Sequence, residues 1–172
     1  AYTSGGKVNR LRVDMGKAIL DPKEIPVALD GDKVVDRPVE IAGKNYNITC
    51  VSMGNPHCVV FMDDIDNLDI ETIGPEFEND KLFPERVNTE FVTVLDDHTI
   101  KMRVWERGSG ETWACGTGAC AVAVAACENG FCKKGEDIKI KLKGGDLIIN
   151  YTDETVYMTG NAEKVFEGEV EV

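Results

Sequence analysis

Basic residues are scarce in this chain: 19 Lys+Arg stand against 31 Asp+Glu, a formal net charge of −12. That balance repels a polymer of phosphates or an anionic membrane surface, and Lys133-Lys134 is the only adjacent basic pair, so neither nucleic acid nor membrane is an expected partner. Long apolar runs are missing too. The longest, Ala119 to Cys127, falls far short of the roughly 20 residues of a spanning helix. Nothing at the start resembles a secretory leader, so Cys50, Cys58, Cys115, Cys120, Cys127 and Cys132 are expected to be reduced thiols in the cytoplasm. Cysteine pairs at zinc-finger spacing are also lacking. Cys115 and Cys120 enclose four residues, as do Cys127 and Cys132, and no metal site is expected.

What is present is enough for one globular domain. The 172 residues can bury a sizeable core. The chain opens at Ala1 without an initiator Met, which suggests a piece of something longer. No internal repeat or linker is visible, and Asp30 to Arg37 reads as a charged turn region. Most segments look extended: Val8–Met15, Val39–Ile41, Asn45–Met53, Cys58–Met62, Glu90–Leu95, Thr99–Glu106, Ile138–Leu142, Leu147–Tyr151 and Thr155–Thr159. Lys143-Gly-Gly-Asp146 is expected to turn a hairpin. Residues Asp69 to Asn79 suggest a helix that Gly74-Pro75 interrupts, leaving about one turn on each side. Thr117 to Asn129 reads as a helix apolar on every side, closed by Asn129-Gly130 and surrounded by other structure. The expected fold is α+β, a mainly antiparallel sheet of about eight short strands wrapped around a central buried helix.

The stretch from Trp105 to Cys120 holds the strongest chemical signal. A strand ends at Glu106, a glycine-bearing loop follows, and Cys115 falls just ahead of Gly116-Thr117-Gly118 at the helix start. The unpaired N–H groups and partial positive charge there bind anions and favour a thiolate, so Cys115 is a candidate nucleophile or base with a lowered pKa. The competing reading is a small packing residue, which suits Cys50, Cys58, Cys120 and Cys127 better. Alternation puts Glu106 on the face of Ile100, Met102 and Val104, where a carboxylate needs a partner or a task. Arg107 is a candidate carboxylate clamp or an exposed strand-end charge.

Two further polar insertions stand out. Ser52-Met-Gly-Asn-Pro-His57 is a turn feeding an apolar strand, with His57 at its mouth. The other histidine, His98, falls in an Asp96-Asp-His98 turn and is expected in solvent. Asn88, after Phe83-Pro-Glu-Arg-Val, precedes a strand and could orient a polar ligand.

Gly54-Asn-Pro-His57, Arg86-Val-Asn88 and Glu106-Arg-Gly-Ser-Gly-Glu-Thr-Trp-Ala-Cys-Gly-Thr-Gly-Ala-Cys120, in that order, resemble the motifs of the diaminopimelate epimerase family. Val13-Asp-Met-Gly16 resembles its domain-joining strand, and the likeness extends to Tyr157-Met-Thr-Gly160. The resemblance implies an isomerase of lysine biosynthesis that inverts one α-carbon of LL-diaminopimelate to the meso form, without a cofactor, using two cysteines. Cys115 matches the second cysteine. Gly116 and Thr117 match the holders of the substrate α-carboxylate, Asn55, Asn88, Glu106 and Arg107 match substrate-binding positions, and His57 and Glu106 match residues that tune the cysteine pair. The segment carrying the first catalytic cysteine has no counterpart here. The chain therefore resembles the C-terminal lobe of a two-lobed enzyme: residues 1–12 a strand belonging to the N-terminal lobe, 13–160 the C-terminal lobe, and 161–172 a tail returning toward the missing lobe. The partners implied are diaminopimelate, the N-terminal lobe and a second copy in a homodimer, and the lobe alone is expected to be inactive. Three rivals share parts of this pattern. A proline-racemase-like enzyme usually lacks Glu106 to Glu111 at this spacing, a phenazine-type isomerase lacks the cysteine, and an inactive lobe would act as a binding or dimerisation module.

Overall fold

A computed structural model describes residues 1–171. Strands β1 (Tyr2–Ser4), β2 (Lys7–Asp14), β3 (Arg37–Ile41), β4 (Lys44–Ser52) and β5 (Pro56–Phe61) precede helix α1 (Ile70–Glu78). Then follow β6 (Asn88–Asp96), β7 (Thr99–Glu106), β8 (Gly110–Thr112), helix α2 (Gly116–Glu128), β9 (Asp137–Leu142), β10 (Gly145–Tyr151) and β11 (Val156–Asn161). The strands form one sheet in the order β1-β2-β11-β10-β9-β7-β6-β5-β4-β3, with β8 paired to β7.

The sheet is mainly antiparallel, as expected, but two of its pairs are parallel, which makes it mixed. β5 pairs parallel with β6, and β7 pairs parallel with β9. Each parallel pair needs a crossover, and each of the two helices lies in one: α1 between β5 and β6, α2 between β7 and β9. Few helices were therefore no bar to parallel pairing.

Alternation along the central strands feeds two cores. Val51, Val59 and Val92 pack on the α2 side, while Ile48, Cys50, Cys58, Val60 and Phe91 pack on the α1 side. Strands buried on both faces read as unbroken apolar runs, as Cys58-Val-Val60 does. Helix α2 is buried from Gly118 to Ala126 and touches β4, β5, β6, β9, β10 and β11. Small side chains make this possible, because a helix of Ala, Gly, Cys and Val admits strands close on every side. Gly130, at φ 78°, ends it in the left-handed region.

Helix α1 runs unbroken through Pro75, so the expected interruption does not occur. Gly74 has no Cβ to clash with the proline ring, and the Trp105 indole lies where that Cβ would be. Asp69 caps the helix by accepting from the Thr72 N–H. The β9–β10 hairpin is tighter than expected, since Leu142 pairs with Gly145 and leaves only Lys143-Gly144 as the loop. Neither helix is long and apolar enough to cross a membrane.

Candidate active site

Asn55 precedes β5, Asn88 opens β6, Glu106 closes β7 and Gly116 opens α2, so the topology brings these termini to one end of the sheet. Cys115 sits there as the N-cap of α2, in extended conformation (φ −132°, ψ 108°), and its Sγ accepts from the Gly118 N–H at 3.4 Å. Sulfur is a weak acceptor where Ser, Asp or Asn would cap better, so the thiol is a poor choice for helix stability alone. No acidic side chain occupies the first turn, which leaves the N–H groups of Gly116 and Thr117 available to an anion. A side chain would be crowded at Gly116 and would clash at Gly118. A Cβ on Gly116 would lie 3.2 Å from the Met158 sulfur, and one on Gly118 would lie 2.6 Å from Glu90 Oε1 and 3.1 Å from Cys115 Sγ.

The thiol is not activated in the way its helix position suggests. Burial, reinforced by the Glu90 charge, pushes the Cys115 thiol up to about 11, against hydrogen bonds to Thr117 and the Gly118 N–H that pull the other way. The lowered value expected from the helix terminus is thus reversed, because desolvation outweighs the helix terminus. Cys115 is a protonated thiol at neutral pH.

A continuous chain of hydrogen bonds leads away from that thiol. Cys115 Sγ lies 3.6 Å from Thr117 Oγ1, Asn55 Nδ2 donates to the same Oγ1 at 3.3 Å, and Asn55 Oδ1 lies 3.0 Å from His57 Nε2. His57 Nδ1 then meets Glu90 Oε1 at 2.7 Å. His57 and Glu90 are both fully buried. Burial raises the Glu90 carboxyl above the usual carboxylate range, and His57 opposes that rise. Glu90 Oε2 has no hydrogen-bond partner.

Asn88 lies beside His57 in the parallel register of β5 and β6. Its amide nitrogen donates to the Pro56 carbonyl (2.9 Å), and its side-chain oxygen accepts from the Arg107 N–H (2.9 Å), fixing the chain where β7 ends. The Arg107 guanidinium donates to the Glu85 carbonyl at 2.9 Å. Glu106 is half-buried and accepts from the Thr112 hydroxyl across the β7–β8 turn. Beneath this loop, Glu78 ties α1 to β7: one oxygen accepts from Arg86 (3.0 Å) and the Gly108 N–H (2.9 Å), the other from Trp105 Nε1 (2.7 Å). Arg86 reaches it from the left-handed region (φ 60°).

Cys115, Thr117, Asn55 and His57 are therefore joined directly, and Asn88, Glu106, Arg107 and Gly116 surround them on neighbouring strand and helix ends. His98 stands apart, half-exposed against Asp97 and Glu136. Glu90 and Glu78 were not foreseen. For Glu90 the signal exists: in Asn88-Thr-Glu-Phe-Val92, alternation sets a carboxylate between Asn88 and the buried Val92 on one face. Among the described residues, no three His, Cys, Asp or Glu side chains converge as metal ligands would.

A family model described as diaminopimelate epimerase matches residues 49–165. The chain belongs to the diaminopimelate epimerase family. Relatives named diaminopimelate epimerase from Acetivibrio thermocellus and Desulfovibrio desulfuricans are each 54% identical, over 169 and 172 residues. Those alignments cover 97% and 95% of this chain and 60% and 59% of the relatives, so the chain spans about three-fifths of their length. Among solved structures, a probable proline racemase from Agrobacterium radiobacter superposes with a TM-score of 0.68 at 13% identity, covering 94% of this chain and 53% of that one. A hydroxyproline epimerase from Agrobacterium vitis gives 0.67 at 12% identity, over 94% and 52%. These two establish that the chain shares their fold.

Proposed function

We propose that these residues supply one of the two proton-carrying cysteines of a cofactor-independent diaminopimelate epimerase, an enzyme of lysine biosynthesis. The observation that carries this reading is Cys115 itself, a buried thiol placed as the cap of a helix whose first-turn N–H groups are open to an anion. Inverting an α-carbon requires a base on one face and an acid on the other. A thiol held protonated at neutral pH is equipped as the acid, handing its proton to the carbanion while the opposing base removes one. In the reverse direction the roles exchange, and Cys115 acts as thiolate.

The surrounding residues have matching tasks. Gly116 and Thr117 receive the α-carboxylate at the helix start, where fixed dipoles also stabilise charge that develops during proton removal. Asn55, Asn88, Glu106 and Arg107 read the amino and carboxylate groups of the substrate. His57 and Glu106 set the protonation of the cysteine. The opposing base comes from the two-fifths of the relatives' length that this chain does not span. In this division residues 13–160 form the C-terminal lobe, and residues 1–12 and 161–172 meet the other lobe. Leu11 and Val13, exposed on the sheet face that carries Met158 and α2, support that assignment.

The test is substrate choice. These residues, joined to the N-terminal part of the Acetivibrio thermocellus relative, are offered LL-diaminopimelate and L-proline in separate reactions followed by chiral chromatography. Inversion of diaminopimelate and not of proline is expected; the opposite preference overturns the proposal.

A further inference from the structure

The Glu90–His57–Asn55–Thr117–Cys115 chain contains a direction. A carboxamide has a donor end and an acceptor end, so Asn55 cannot present the same atom to both neighbours. With Asn55 Oδ1 toward His57, as in the structure, His57 Nε2 must carry a hydrogen to give. That holds when the Glu90–His57 pair retains the proton shared across its 2.7 Å contact, whichever partner it resides on. Asn55 Nδ2 then donates to Thr117 Oγ1, and the Thr117 hydroxyl is left to donate to Cys115 Sγ, an arrangement that favours thiolate. When the pair lacks that proton, Glu90 as carboxylate takes the Nδ1 hydrogen and Nε2 offers a lone pair. Asn55 turns its amide group over, Thr117 donates to Asn55, and Thr117 Oγ1 accepts from the Cys115 S–H, an arrangement that favours thiol.

We propose that Glu90 is a positioning residue which, through His57 and the two orientations of Asn55, decides whether Thr117 gives a hydrogen bond to Cys115 or takes one from it. No proton passes through the amide; donors and acceptors reverse along the chain. This is the device a cysteine needs if it serves as acid in one direction of an inversion and as base in the other, and it rests on that reading of Cys115. Several features fit it. His57 and Glu90 are fully buried, so solvent does not compete for the shared proton. Gly118 leaves the room beside Glu90 and the sulfur that any side chain would fill. The titratable groups near Glu90 are His57 and Cys58 from β5, Glu106 from β7 and Cys115 at the head of α2.

The test reads the thiol and needs no turnover. The rate of alkylation of Cys115 by iodoacetamide at pH 8, followed by peptide mass spectrometry, reports its thiolate fraction. In Glu90→Gln the amide donates to His57 Nδ1 and locks the chain in the direction that favours thiolate, so the thiolate fraction and with it the rate are expected to rise about tenfold. In a Thr117→Val background, which cuts the chain and leaves only the direct loss of the Glu90 charge, the same substitution is expected to raise the rate clearly less, as a double-mutant cycle measures. An unchanged rate in Glu90→Gln, or an equal rise in both backgrounds, overturns the proposal. If Glu90→Gln does not fold, the comparison of wild type with Thr117→Val decides it. The His57 ring nitrogens, read by 15N NMR, are expected to shift because Asn55 loses the acceptor that fixes it, and identical spectra overturn the proposal. Loss of the coupling with diaminopimelate turnover intact removes only the role of Glu90. The coupling without turnover removes only the functional reading.

Discussion

His57 Nδ1 lies 2.7 Å from Glu90 Oε1, and neither side chain has any surface in contact with solvent. A buried pair of this kind is expensive to break, because removing one partner leaves the other desolvated and alone. Glu90→Ala is expected to cost about 3–5 kcal/mol in guanidinium unfolding. Glu90→Gln, which retains a hydrogen bond to the ring, is expected to cost under about half of that. Equal losses would show that the neutral hydrogen bond of the amide replaces nothing of the pair and would contradict this expectation.

Gly118→Ala reverses an ordinary rule. In a helix interior this substitution gains about 1 kcal/mol, since alanine is the better helix former. Here the added Cβ meets Glu90 Oε1 at 2.6 Å and the Cys115 sulfur at 3.1 Å. The variant is expected to be less stable than wild type by about 1–3 kcal/mol, and a gain in the unfolding midpoint would refute the packing described for the head of α2.

Glu78 holds the loop that carries Glu106 and Arg107. Glu78→Ala strips the acceptors from the half-buried Trp105 indole N–H and from the N–H of Gly108, and releases the loop from α1. A loss of about 2–4 kcal/mol is expected, with a red shift of tryptophan emission as Trp105 loosens over Gly74. Emission and stability both unchanged would mean the knot is not structural.

Stability is expected to fall at alkaline pH. Burial pushes Cys120 up to about 12, and burial with the Glu90 charge pushes Cys115 up to about 11. The unfolded chain releases these protons near the ordinary thiol value of about 8.5, while the folded chain keeps them. Unfolding is thus coupled to proton release, and the stability present below about pH 8.5 is lost as pH rises through those higher values. Each fully buried thiol adds a slope of at most about 1.4 kcal/mol per pH unit. Unfolding curves for wild type and Cys120→Ala between pH 8 and 10.5 check this; the variant is expected to show the shallower loss, and parallel losses would contradict it.

Much of the fold was legible before the structure. Strand β7 falls where alternation of Ile100, Met102 and Val104 put it, and α2 begins within one residue of its expected start. What escaped depends on contacts distant in sequence. Pro75 reads as a breaker until Trp105 is seen packed over Gly74. The two parallel pairs could not be read locally, because a strand does not record the direction of its neighbour. At the site, the motif residues were legible as a set, but the state of Cys115 was not. A helix terminus is visible in sequence, whereas the burial that outweighs it comes from a core assembled from residues distant in the chain.

The central claim is that Cys115 carries a proton to or from the substrate α-carbon. Its most direct test is solvent deuterium incorporation, measured by proton NMR, when LL-diaminopimelate is incubated in D2O with these residues joined to the N-terminal part of the Acetivibrio thermocellus relative. Turnover with deuterium at the inverted carbon is expected, falling by about a thousandfold or more in Cys115→Ala, and the 172 residues alone are expected to show none. Unchanged turnover in Cys115→Ala, or turnover by these residues without the other lobe, would contradict the account.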